Sequence, residues 1–269
     1  MAKKKLSKEK TMNKQDEKYT KEKVINFLEK HINSEKLPTL YKKTQINRSG
    51  SPNNSNELYS EIMAKYLLDR KVKHLFEEIK PISRHDHNKK YIMKSHKPLS
   101  SDQKKSVSSK VREEEWYARF LYRPNEEFDC IGEVIDYQTP IKGNIFHVAG
   151  KVDLLAYKKK EKLLSLIELK MKREDEKEGM LRAILEICTY YYQIDKEQLK
   201  EELLENSTKY PAIEKTQMAV LIFKGSRQHK EYEKPGPIQQ LVGHLGVKVL
   251  IVENIGDKIT ITDITKKTP

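Results

Sequence analysis

The chain has little of what secreted and membrane-spanning proteins require. Its 269 residues include only 2 cysteines, Cys130 and Cys188, which is too few for a disulfide framework or a four-thiolate zinc site. No apolar stretch approaches the roughly 20 residues of a membrane-spanning helix. The lysine-rich start is not followed by the apolar segment of a secretory signal. These absences predict a cytoplasmic protein in a reducing compartment, with no membrane partner.

Hydrophobic residues are also scarce, and charged residues replace them. The hydrophobic share is 36%, the charged share is 35%, and the formal net charge is +13. The charge is uneven, because residues 1–112 carry +15 and residues 113–269 carry −2. A basic half indicates a polyanionic partner, with nucleic acid as the first candidate. A solubilising surface would have the same charge, so charge alone does not decide between the two.

The first part of the chain predicts helices separated by loops. Residues 1–22 are nearly all polar, which predicts a disordered basic tail. Residues 23–110 predict a helical region, in which the longest helix covers about 55–80. Proline, glycine and asparagine predict a loop at 37–56. Residues 81–110 are rich in Lys, Ser and His, which predicts a long basic loop.

The rest of the chain, residues 111–269, predicts an α/β domain. Its segments follow the order α-β-β-β-α-β-α-β-β, which favours a mixed central sheet covered by helices. The predicted strands are 128–141, 145–157, 163–171, 217–225, 247–254 and 258–264. The predicted helices are 111–123, 176–195 and 235–246.

Two acids and a lysine stand out on the second and third predicted strands. A turn at 160–161 would place Asp153 opposite Glu168, and Lys170 would share their face two residues along. Most of their neighbours are apolar, so two facing carboxylates would repel each other and lose hydration. They would need a compensating cation, which could be a divalent metal, the lysine, or both. Solvated charges on an edge strand give the same pattern, and a one-residue slip would separate the faces.

An acid on one strand followed by acid-x-Lys on the next resembles the active site of the PD-(D/E)xK nuclease superfamily. The resemblance covers residues 111–225, with Val152 in place of the motif's proline. It implies a restriction-endonuclease-like αβββαβ core after the N-terminal helical region. It also implies a divalent-metal-dependent nuclease that hydrolyses phosphodiester bonds of DNA, with RNA left open. Endonuclease and exonuclease action, a homodimer, and a subunit of a helicase complex all stay open.

The resemblance assigns roles to individual residues. Asp153, Glu168 and the carbonyl of Leu169 would bind Mg²⁺ or Mn²⁺ through oxygen. Lys170 would position a water or offset charge in the transition state. Many members add a carboxylate from a preceding helix, and we expect Glu114 to supply it. The alternatives for this carboxylate are Glu57, Glu61, Glu113 and Glu115.

The helix predicted at 176–195 carries a further part of the resemblance. Nuclease modules of bacterial recombination helicase-nucleases, and related phage exonucleases, have Gln-x-x-x-Tyr on this helix. Here Tyr190 matches, and Glu186 stands where glutamine is expected. Both are expected at the active site, on a polar stripe of an otherwise apolar helix. The alternative is a stripe that faces solvent.

Two other classes of protein fit the same sequence. One is a catalytically inactive nuclease-fold protein that binds nucleic acid or a protein partner. The other is a structural interaction module with charged surfaces. Metal-dependent cleavage that is lost on substitution of Lys170 would distinguish the enzyme from both.

Overall fold

The structure is a computed structural model that describes most of the chain. The described residues are 20–53, 55–84, 89–92, 95–100, 113–141, 150–172, 177–206, 210, 212–255 and 258–265. The predicted tail therefore lies almost wholly outside them, as do residues 145–149 of the second predicted strand and much of the predicted basic loop.

The described residues of the first part of the chain form four α-helices. They are α1 Lys21–Glu29, α2 Leu37–Leu40, α3 Tyr59–Asp69 and α4 Val72–Glu77, with a 3₁₀ turn at Thr44–Asn47. The prediction of a loop at 37–56 was wrong where α2 and the 3₁₀ turn form. The prediction of one helix at 55–80 was also wrong, because Lys71 has a left-handed backbone (φ 49°) that separates α3 from α4.

The centre of the protein is a seven-stranded mixed sheet, which confirms the predicted mixed α/β class. Its strands lie in the order β1-β2-β3-β4-β5-β6-β7. The β4–β5 and β5–β6 pairs are parallel, and the other pairs are antiparallel. The strands are β1 Glu127–Phe128, β2 Gly132–Pro140, β3 Lys151–Lys158, β4 Leu163–Lys170, β5 Lys215–Phe223, β6 Lys248–Ile255 and β7 Lys258–Asp263.

Among the residues that the structure describes after position 112, five further helices accompany the sheet. They are α5 Glu113–Leu121, α6 Met180–Gln193, α7 Lys196–Asn206, α8 Arg227–Glu233 and α9 Pro237–Leu245. The predicted order lacked α7 and α8, and their sequences explain why. Helix α7 buries only Leu199 and Leu203 among its apolar residues, and α8 buries only Tyr232. Neither helix therefore has the apolar stripe by which a helix is recognised in a sequence.

Two buried clusters cover the two faces of the sheet. One contains side chains of α5, such as Tyr117 and Leu121, packed against alternate residues of the strands. The other packs α6 and α9 on the opposite face, and it also contains Leu28, Leu67 and Phe76 from α1, α3 and α4. The N-terminal helices therefore share one continuous core with the sheet.

Part of the predicted basic loop is fixed to α7 by buried polar contacts. Glu202 accepts hydrogen bonds from the N–H groups of Tyr91 (2.7 Å) and Ile92 (3.0 Å). Gln198 accepts one from the N–H of Arg84 at 2.8 Å. In the part of the chain that the structure describes, no helix is long and apolar enough to cross a membrane.

Candidate active site

The β3–β4 hairpin has the register that the sequence predicted. Leu154 pairs with Ile167, and Leu155 pairs with Leu166, so Asp153 and Glu168 occupy facing positions one step along. The connection is longer than the predicted two-residue turn, because a 3₁₀ turn at Lys159–Glu161 is followed by Lys162 in a left-handed conformation (φ 50°). The register is the same because the connection is longer by one residue on each side, Lys159 and Lys162, which leaves the pairing of the strands unchanged.

Asp153 and Glu168 are both buried, with 6% and 4% of their surface exposed. Asp153 Oδ2 accepts a hydrogen bond from the N–H of Leu169 at 2.8 Å, and Oδ1 accepts one from the side-chain amide of Gln138 at 2.6 Å. Glu168 Oε1 accepts a hydrogen bond from Lys170 Nζ at 2.8 Å. Its other oxygen, Oε2, is buried and has no hydrogen-bond partner among the described residues.

Lys170 lies at the centre of a group of acids. Its ammonium nitrogen is 2.8 Å from Glu168, 2.9 Å from Glu186 and 3.1 Å from Glu178. Arg182 forms a further ion pair with Glu178 at 3.1 Å. Lys170 thus connects β4 to α6 and to the segment before it.

The polar stripe of α6 faces the interior at its centre. Glu186, Thr189 and Tyr190 are 6%, 1% and 5% exposed, so the alternative of a solvent-facing stripe was wrong for these residues. The Tyr190 hydroxyl donates to Glu186 Oε1 at 3.0 Å and lies 3.2 Å from the hydroxyl of Tyr41. Tyr41 follows α2, so a residue of the N-terminal helices reaches this site.

Most of these groups line one cavity of about 540 Å³, and Thr189 and Tyr41 lie outside its lining. All five residues expected to be catalytic lie there, namely Asp153, Glu168, Lys170, Glu186 and Tyr190. The other lining residues are Glu114, Glu115, Gln138, Gly150, Lys151, Glu178 and Arg182.

The structure separates the five candidates for an added carboxylate. Glu114 and Glu115 line the cavity, whereas Glu113 does not. Glu57 forms an ion pair with Lys21 at 2.6 Å. Glu61 accepts a hydrogen bond from the N–H of Leu58 at 2.8 Å and so caps α3. Glu57 and Glu61 thus have structural roles outside the cavity.

Burial and like charge act together on the two facing carboxyls. Burial is the main cause that raises the pKa of Asp153 to about 8, and Glu114 adds to it. Burial also raises the pKa of Glu168 well above its ordinary value, with further repulsion from Asp153 and Glu186. Burial opposes the charge of Glu186 as well, but Lys170 and Arg182 outweigh it and lower its pKa. Lys170 lowers the pKa of both carboxyls but does not outweigh their burial, so it compensates the pair Asp153–Glu168 only in part.

The donor chemistry of the site fits a hard divalent cation. Mg²⁺ or Mn²⁺ would satisfy two carboxyl groups with raised pKa values and one buried oxygen, Glu168 Oε2, that has no partner in the described part of the chain. Within the residues described, no group of three or more His, Cys, Asp or Glu side chains is arranged to hold a metal ion. The fit therefore rests on Asp153 and Glu168. Leu169 donates its N–H to Asp153, and metal binding by its carbonyl stays a prediction.

Three residues of the site were missed by sequence reasoning. Tyr41 was missed because it is 149 positions from its partner Tyr190, and no local pattern connects the two residues. Glu178 lies before α6 in a segment with no distinctive pattern. Gln138 could have been found from the β2–β3 register, since the pairs on either side of it place it opposite Asp153. That register depends on a connection whose length and turn type the sequence does not specify.

Gly150 allows Tyr190 to approach the start of β3. A Cβ atom at this position would lie 2.2 Å from the Tyr190 hydroxyl oxygen and 2.9 Å from its Cζ. We expect Gly150→Ala to lower the free energy of unfolding by about 1–3 kcal/mol through overpacking, measured by urea denaturation. Adding Tyr190→Phe should recover part of the loss, because it removes the nearer atom. A Gly150→Ala protein as stable as the wild type would contradict this contact.

The site as a whole brings together a carboxylate pair, an ammonium group and the acids that hold that ammonium group. Such an arrangement can bind a divalent cation and stabilise negative charge next to it.

Comparison of the chain with known family models, with curated proteins and with solved structures found no match.

Proposed function

We propose that this protein is a divalent-metal-dependent nuclease that hydrolyses phosphodiester bonds of DNA. One observation carries the proposal: Asp153 and Glu168 face each other across β3 and β4, with Lys170 2.8 Å from Glu168, in one cavity. We also propose that α5, β2, β3, β4, α6 and β5 form a restriction-endonuclease-like core, to which β1 and α7 are added. The antiparallel β2–β3–β4 and the parallel β4–β5 pairing are consistent with it.

Each residue has a defined part in this proposal. Asp153 and Glu168 would hold the cation, with the Leu169 carbonyl as a further ligand, and Glu114 lines the same cavity. A bound Mg²⁺ or Mn²⁺ would supply a Lewis acid for the phosphate and lower the pKa of a coordinated water. Lys170 would offset the negative charge that grows on the phosphate. Its ammonium group is held ready for this task by Glu168 and Glu186.

The charge of the whole chain agrees with a polyanionic substrate only if the two halves act together. The sheet and its site belong to residues 113–269, which carry −2, and would repel DNA. Residues 1–112 carry +15, and α1–α4 pack onto the same core. We propose that this basic half offsets the repulsion through contacts with phosphates.

The test is cleavage by the full chain. The protein is purified by size-exclusion chromatography, and each fraction across its peak is incubated with linear or supercoiled DNA in Mg²⁺, Mn²⁺ or EDTA. The products are separated on gels. We expect cleavage that elutes with the protein, requires the metal and stops in EDTA. No cleavage with either metal would overturn the proposal. The two DNA forms also distinguish an exonuclease, which cleaves only the linear form.

A second candidate follows from the ion pairs of Lys170. Because this ammonium already contacts three carboxylates, the site could be a fixed structural network in a nuclease-fold protein that only binds nucleic acid. In that case the protein would bind DNA with an affinity that falls steeply with salt, and no metal would produce cleavage. Deletion of residues 1–19, which carry seven lysines, should then weaken binding and reduce the salt dependence.

A further inference from the structure

Tyr41 is connected to Lys170 by a chain of three hydrogen bonds. Glu186 accepts from Lys170 Nζ at 2.9 Å through Oε2 and from the Tyr190 hydroxyl at 3.0 Å through Oε1. The Tyr190 hydroxyl is 3.2 Å from that of Tyr41. Tyr190 has one proton, and an ionised Glu186 can only accept. Tyr41 must therefore donate to Tyr190, and all of the protons in the chain are directed toward Glu186.

We infer that Tyr41 is a positioning residue of the site, which fixes the Lys170 ammonium through Tyr190 and Glu186. The inference rests on the proposed function for its effect on catalysis. The contact itself is independent of that function, because it concerns where Lys170 is held.

The surroundings of Tyr41 favour this role over simple packing. The residue is 2% exposed, so water does not readily replace its hydroxyl as the donor to Tyr190. Its ring meets that of Tyr190 edge-on, with 5.7 Å between centroids. The guanidinium of Arg182, which also approaches Glu186, lies 5.9 Å from the centre of the Tyr41 ring. Tyr41 thus contacts two of the groups that orient Glu186.

The position of Tyr41 in the chain gives the inference its consequence. The residue lies between α2 and the 3₁₀ turn, in the basic half, whereas Lys170 lies on β4. The N-terminal helices would therefore help to build the site as well as to bind substrate. A hydrogen bond in a low-dielectric interior is directional and costly to leave unmade, so loss of this donor should loosen Glu186 and, with it, Lys170.

The first test is steady-state cleavage by three variants: Tyr41→Phe, Tyr190→Phe and the double variant. Phenylalanine keeps the ring and removes only the hydroxyl. We expect Tyr41→Phe to lower kcat by about tenfold with KM nearly unchanged, since a hydrogen bond to a charged network has roughly this value. Tyr190→Phe should lower kcat more. Once Tyr190→Phe has broken the chain, adding Tyr41→Phe should cost nothing further.

A matched control shows the effect of losing a buried tyrosine hydroxyl elsewhere. Tyr157 is 3% exposed and donates to the carbonyl of Ala212 at 2.6 Å, at the far end of β3 from Asp153. Tyr157→Phe should leave kcat unchanged even if it lowers stability. Equal kcat values for Tyr41→Phe and wild type, or strictly additive losses in the double variant, would overturn the inference.

The second test does not require activity. Lysine is labelled with ¹⁵N at Nζ, and the Lys170 ammonium signal is assigned by its loss in Lys170→Met. We expect Tyr41→Phe to shift this signal and to increase its proton exchange with water severalfold, while Tyr157→Phe leaves it unchanged. A Lys170 signal that is identical in Tyr41→Phe and wild type would refute the positioning role. If the wild type cleaves no DNA, the proposed function fails, and this measurement still decides whether Tyr41 positions Lys170.

Discussion

Lys170→Met should lower the rate of metal-dependent DNA cleavage by about 10²–10³-fold, the usual loss when one preorganised charge-stabilising group is removed. Methionine fills a similar volume without a charge, so the cavity keeps its shape while growing negative charge on the phosphate goes uncompensated. DNA affinity should change little, because phosphates elsewhere are bound by the basic half. The measurements are single-turnover cleavage and fluorescence anisotropy of labelled DNA in Ca²⁺.

The same substitution removes the centre of an ion-pair network, so folding must be checked beside activity. Breaking a buried pair by removing one partner costs about 3–5 kcal/mol, although Glu168 can take up a proton in place of the lysine. The matched control is Lys224→Met, because Lys224 pairs with Glu253 at 3.1 Å with 63% of its side chain exposed. A folded Lys170→Met protein that cleaves as fast as Lys224→Met would contradict a role for Lys170.

The hairpin that carries the site could be predicted from the sequence for a physical reason. Strand side chains alternate between faces, so a register that buries Leu155 and Leu166 together also brings Asp153 and Glu168 together. The same argument places Lys170 beside Glu168. The resemblance then added α6, and Glu186 and Tyr190 do line the cavity.

What the sequence did not predict depends on contacts between distant segments. Tyr41 and Tyr190 are 149 positions apart. Local periodicity predicts individual helices but does not specify how they are arranged around a sheet. Helices α7 and α8 have too few apolar residues for a clear pattern, and each is held by polar contacts. Glu202 on α7 binds the backbone of Tyr91, and Glu231 on α8 accepts from the N–H of Met180 at the start of α6.

The basic helical region and the α/β domain differ in charge, but they share one buried core. Charge changes sharply near residue 112, but burial does not. Leu28 and Phe76 of the N-terminal helices belong to the same buried cluster as Leu155 and Ile184. Deleting all of residues 1–110 would therefore expose this core. Experiments on the basic half need substitutions, or a deletion limited to residues 1–19.

Without a metal, the protein should become less stable as the pH rises from about 4 to 8. The pKa of Asp153 is raised from 3.8 to about 8 in the folded protein, mainly by burial. A carboxyl with a raised pKa binds its proton more tightly when folded, so its contribution to stability is fully present below pH 4 and is lost as the pH passes through 8. The slope should approach 1.4 kcal/mol per pH unit for one such proton. Glu168, whose pKa is also raised, adds to the same trend.

Asp153→Asn should reduce this slope and make the metal-free protein more stable than the wild type at pH 8, by up to a few kcal/mol. Asparagine keeps an oxygen to accept from Leu169 but carries no charge to bury. The free energy of unfolding is measured by urea denaturation in EDTA at pH 5.5, 6.5, 7.5 and 8.5. The control is Asp263→Asn, because the pKa of Asp263 is lowered by hydrogen bonds to Thr265 and Lys248 that outweigh its burial. Its removal should destabilise the protein at pH 8.

Added Mg²⁺ or Mn²⁺ should stabilise the wild type more than Asp153→Asn and so remove or reverse the difference in stability between the two proteins at pH 8. The cation would compensate Asp153 and Glu168 in the wild type, and at about 100 times its Kd it should stabilise the fold by about 2.7 kcal/mol. Asp153→Asn should gain much less, so the wild type recovers or passes the variant at pH 8. If Asp153→Asn keeps the wild-type pH slope in EDTA, the pKa of Asp153 is not raised in the folded protein. If both proteins gain equally from the metal, the cation binds outside the Asp153–Glu168 pair.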